Sequence, residues 1–63
     1  MKTIEQIEVE IKNLKVMLEL LRKYYKRFKE DGNEFGMRWM IENIASHKAM
    51  IDKLEWVLDA SIS

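Results

Sequence analysis

Cysteine and proline are both absent from this 63-residue chain, and glycine occurs only at Gly32 and Gly36. Without cysteine there is neither a disulfide nor a thiolate metal site, which suits a reducing compartment. Without proline nothing forces a helix to break, so long helices are favoured. One histidine, His47, is too few to cage a metal within one chain. An excess of either charge is missing too: 11 basic and 11 acidic side chains cancel. Net charge therefore directs the chain to neither nucleic acid nor a membrane. The longest apolar runs are three residues, as in Val16-Met17-Leu18, against the ~20 needed to span a bilayer. The opening Met1-Lys2-Thr3-Ile4-Glu5 has no apolar signal core, so the expected location is cytoplasmic, with no membrane partner.

What the chain does have is a repeat. Ile4, Ile7, Ile11, Leu14, Leu18, Leu21, Tyr25 and Phe28 follow alternating steps of three and four. That is a heptad seam, the pattern of a coiled-coil-like helix. Thr3 with Gln6 fits a capping box at its start. Glu5, Glu8 and Glu10 come early, and Arg22, Lys23, Lys26, Arg27 and Lys29 come late, as the helix dipole favours. A second seam runs through Met37, Met40, Ile44, His47, Ile51, Leu54, Leu58 and Ser61. Between them, Gly32 suits the left-handed residue after a helix, and Asn33 suits the next N-cap.

So short a link sets the helices side by side and antiparallel. Pairing Phe28 with Met37, Leu21 with Ile44, Leu14 with Ile51 and Ile7 with Leu58 puts every layer in register about one fold-back point. The expected fold is all-α: one domain over residues 1–63, an antiparallel two-helix hairpin. Helix one is expected over about 3–31, the turn at about 32–33, and helix two over about 34–61.

One hairpin does not absorb all the apolar residues. Val9, Val16, Met17, Leu20 and Tyr24 lie off the first seam. Trp39, Ile41, Met50, Trp56, Val57 and Ile62 lie off the second, with Ala45 and Ala49 one turn apart for a close helix approach. A single core in a chain below about 70–80 residues rarely supplies more than ~3–5 kcal/mol. Extensive exposed apolar surface marks an interface. The sequence therefore predicts a homodimer of hairpins forming a four-helix bundle, or a higher homo-oligomer. The interface is expected to draw on Val16, Met17, Leu20, Tyr24, Ile41, Ala45, Ala49, Met50, Trp56 and Val57.

Three groups invite a functional reading. His47 stands in a seam layer opposite Leu18; it is expected to fix register or partner number as a buried polar residue does, the alternative being a ligand contact or pH switch. Residues 22–40 hold six basic and three acidic side chains, and Lys23, Lys26, Arg27, Lys29, Arg38 and Trp39 there are candidates for phosphate and base contacts. The plainer account is solvation of a helix end beside its negative dipole. Trp39 and Trp56 are either partner anchors or packing between hairpins.

No catalytic constellation is present. There is no cysteine nucleophile and no glycine-rich phosphate loop. Ile44, not Glu, stands three residues before His47, so the di-iron spacing of helical bundles is missing. Neither enzyme activity nor a cofactor is expected.

In length and two-helix plan, folded about Gly32, the chain resembles the Rop family of plasmid RNA-regulating proteins, which are dimers of hairpins. The likeness is architectural and carries over no functional residue. The leading expectation is a small interaction protein or regulator that binds or inhibits a protein partner. The Rop likeness implies a nucleic-acid-binding regulator as the alternative. A bundle that sequesters a nucleotide between Tyr24, Trp39 and their basic neighbours is the third.

Overall fold

The computed structural model describes residues 2–62, and side chains for 2–61. Ile62, counted among the off-seam apolar residues, thus has its side chain outside the described part. Two helices make up the chain, α1 (Ile4–Glu30) and α2 (Glu34–Ile62), folded back on each other as an antiparallel hairpin. The rod measures 46 × 17 × 14 Å.

Local chemistry sets each boundary. The Thr3 hydroxyl accepts the Gln6 N–H at 3.1 Å, and the Gln6 side-chain oxygen accepts the Thr3 N–H at 2.9 Å. This reciprocal box satisfies two donors that a helix start leaves open. At the other end Gly32 takes φ +70°, the left-handed conformation that costs other residues most. The Gly32 N–H reaches the Lys29 carbonyl at 3.2 Å, and the Asn33 N–H reaches that of Phe28 at 2.9 Å. Those two bonds form a Schellman motif. Asn33 then caps α2, its side-chain oxygen accepting the Gly36 N–H at 2.9 Å. Three residues thus end one helix, reverse the chain and start the next.

Packing follows the seams. Ile7, Ile11, Leu18 and Ile51 form one buried cluster, with Leu14, Ile44, Leu54, Val57 and Leu58 against it. Met40 is buried beyond it, toward the turn. Gly36 in the first turn of α2 is buried, because the Phe28 ring lies where its side chain would be: an added Cβ would stand 2.8 Å from that ring.

The core is thin. Its best-covered side chains, Met40 and Ile51, still keep 5% of their surface, and no large side chain among the described residues is fully enclosed. The chain exposes 5301 Å², whereas a compact monomer of this mass exposes ~4300 Å². α1 gathers its apolar residues toward one side, while α2 spreads them around its circumference. A helix apolar on several sides is ordinarily covered on several sides; here only one is. No described helix is long and apolar enough to cross a membrane.

Candidate functional site

Two packed helices leave a groove on each side of their seam, and the two grooves differ in chemistry. The residues immediately after Leu14 and Leu54 identify one of them. Lys15 and Glu55 meet across it at 3.3 Å. Its walls carry Lys15, Glu19 and Arg22 from α1 and Lys48 and Asp52 from α2, over Leu18 and Ile51. Arg22 also donates to Glu19 at 3.1 Å. This is a charged groove, in which Lys15 pairs with Glu55 and Arg22 with Glu19. Its apolar residues include Ile41, near Tyr25, Ile44, Ala45 and Lys48 toward the turn, and Val16 with Ile11 and Leu58 toward the open end.

Residues immediately before a seam position fall on the opposite side, by the ~3.6-residue helical period. On α1 these are Gln6, Glu10, Asn13, Met17, Leu20, Tyr24 and Arg27. On α2 they are Gly36, Trp39, Asn43, Ser46, Met50, Lys53, Val57 and Ala60. Met17, Leu20, Tyr24, Trp39 and Met50 are exposed. Of the seam residues that border this groove, Leu14, Leu21, His47 and Leu54 are half-buried, while Ile7 and Met40 are buried. Met17, Leu20, Tyr24, Trp39, Met50 and Val57 thus make an apolar strip on this side, interrupted by Glu10 and Asn43.

Asn43 and His47 on that side turn inward to their own helix, whereas Glu10 pairs with Lys2. The Asn43 amide donates to the Trp39 carbonyl at 2.8 Å. The His47 Nδ1–H donates to the Asn43 carbonyl at 3.0 Å, since a carbonyl can only accept. The Ser61 hydroxyl donates to the Val57 carbonyl at 2.9 Å. Each bond spans one turn, so these donors stay satisfied if water leaves the groove.

The ten interface candidates do not form one surface. Met17, Leu20, Tyr24, Met50 and Val57 share the apolar groove. Ile41 and Ala45 belong to the charged one. Val16 joins Ile11, Lys12, Lys15, Glu19 and Leu58 around a hollow at the open end of the charged groove. Ala49 and Trp56, the latter 71% exposed, lie on the outer back of α2. His47, expected within a core layer, is half-buried at the edge of the apolar groove.

The basic candidates near the turn are all exposed. Lys23, Lys26, Arg27, Lys29 and Arg38 make no ion pair with any described residue. Successive helical positions distribute them around the end of the rod rather than along one strip. Trp39, 59% exposed, joins Phe35, Arg38 and Glu42 around a shallow cleft, in which Tyr24 takes no part.

Phe35 escaped the sequence reading, yet at 84% it is the most exposed large apolar side chain described. Its signal was its place one turn before Trp39. Among the described residues no three His, Asp or Glu side chains converge on a metal position. Comparison of the chain with protein-family models, with curated proteins and with solved structures finds no match.

Proposed function

We propose that this chain is a non-catalytic assembly protein, in which two hairpins join through their apolar grooves into a four-helix bundle whose outer surface engages a protein partner. The observation that carries this reading is the contrast between the grooves. The apolar one has half-buried leucines, exposed Met17, Tyr24 and Met50, and an Asn43 amide and His47 imidazole already bonded to their own helix. The exposed area is of the size a dimer would cover. The ~1000 Å² exposed beyond a compact monomer's share is close to the ~800 Å² per partner of a standard interface. Side chains outside the groove, Trp56 on the back of α2 among them, remain for a further partner. Light scattering on a size-exclusion eluate tests the first step. The expected mass is twice that of the chain, holding to micromolar dilution; a single-chain mass at those concentrations contradicts the reading.

A second reading, nucleic-acid binding at the turn end, rests on five unpaired cations around that end and on Arg38 between exposed Phe35 and Trp39. It predicts binding to single-stranded RNA or DNA that falls steeply with salt. No binding at low salt removes it.

A further inference from the structure

Two hairpins can pair through one groove in two ways: with both turns at the same end, or with the turns at opposite ends. We propose that a second copy of this chain occupies the apolar groove in the opposite-ended arrangement, α1 over the partner's α1, with the symmetry axis passing near Met17. This deepens the reading of the groove as a self-association surface and rests on it.

Two independent observations select the orientation. The first is charge. The turn half of the rod, residues 16–49, holds seven basic and five acidic side chains; the open half holds four basic and six acidic. Ions act over only ~8 Å at physiological salt, so what matters is which end lies beside which. Turns together set the two basic ends side by side and the two acidic ends side by side. Turns apart set each basic end beside an acidic one.

The second is bulk. At the turn end, the groove carries the aromatic Tyr24 and Trp39; toward the open end, α2 offers the smaller Val57 and Ala60 there. Helices pack at 8–10 Å, and facing layers fill that space when large residues meet small ones. Turns together would wedge aromatics against aromatics at one end and leave the other end slack. Turns apart lay Trp39 over the partner's Val57 and Tyr24 near the partner's Glu10, whose shorter side chain leaves it room. α1 (Ile4–Glu30) has its midpoint at Met17, so in this arrangement Met17 meets its own copy.

The native chain has no cysteine, so single thiols report orientation cleanly. In Glu34→Cys, a spin label at the exposed start of α2 should give an inter-label distance of about 40 Å or more, the length of the helices. In Met17→Cys, mild oxidation should link the two chains. A label distance under about 25 Å, or no Met17 cross-link in a sample that light scattering shows to be dimeric, overturns the arrangement. A monomeric native chain instead defeats the self-association reading itself, before orientation is asked.

Discussion

The charged groove and the apolar groove lie on either side of one seam, within a rod 17 × 14 Å in section, yet they treat polar groups in opposite ways. Across the charged groove, Lys15 reaches Glu55 on the other helix. In the apolar groove, Asn43 and His47 bond back to their own backbone one turn earlier. Exposed ion pairs contribute ~0–1 kcal/mol and require water around them to be harmless. Internally bonded amides and imidazoles next to half-buried leucines tolerate drying. The lesson is that exposure alone does not mark an interface. Trp56 is more exposed than Met50, but Met50 has unfinished core on either side of it and Trp56 does not.

Substitutions can break or sharpen this contrast. The largest effect is expected at Ile51, buried between the helices: Ile51→Ala should cost roughly 2–5 kcal/mol in urea unfolding. Leu14, half-buried on the edge of the apolar groove, should cost clearly less in an isolated hairpin. If a second copy covers the groove, Leu14→Ala should approach the Ile51 value as protein concentration rises, because dimer stability depends on concentration. Equal costs at every concentration in a monomeric sample would show that the groove edge is already core.

Gly36→Ala comes next. Alanine gains up to ~1 kcal/mol of helix propensity, but the new Cβ meets the root of the Phe28 ring, and overpacking costs ~1–3 kcal/mol. The expected net is a loss of about 1 kcal/mol, read as a lowered urea midpoint. A stabilised variant would mean that the ring moves aside freely.

His47→Leu should leave stability unchanged or raise it, since the imidazole's hydrogen bond is local and the groove around it is apolar. Losing more than about 1 kcal/mol in thermal unfolding would mean that this bond supports the fold. Smallest of all, Lys15→Ala should change stability by less than ~0.5 kcal/mol, and that little should vanish in high salt.

Much of the hairpin was legible in the sequence because heptad spacing, a Thr3–Gln6 box and an Asp31-Gly32-Asn33 link are all local signals. Their bonds are present as expected. The need for Gly36 was not legible, since it depends on where the Phe28 ring comes to rest after the chain reverses. The surplus apolar residues were visible, but as one undivided set. Sorting them requires asking whether each stands just before or just after a seam position. That rule places Met17 and Met50 together and sends Ile41 to the opposite groove. Phe35 was missed because it precedes the second seam, although its spacing from Trp39 marks the same helix edge. The core depth of His47 was overestimated because a seam letter implies burial only where a neighbour covers that side.

The most direct test of the account sets one groove against the other. Met50→Glu and Lys48→Glu each add a carboxylate to the same stretch of α2, on opposite sides of the seam. Sedimentation equilibrium on both variants and the native chain should find the native chain and Lys48→Glu dimeric, and Met50→Glu shifted to monomer with its helical circular dichroism retained. Met50→Glu remaining as dimeric as the native chain, or Lys48→Glu dissociating just as strongly, would contradict the assignment of the apolar groove as the assembly surface.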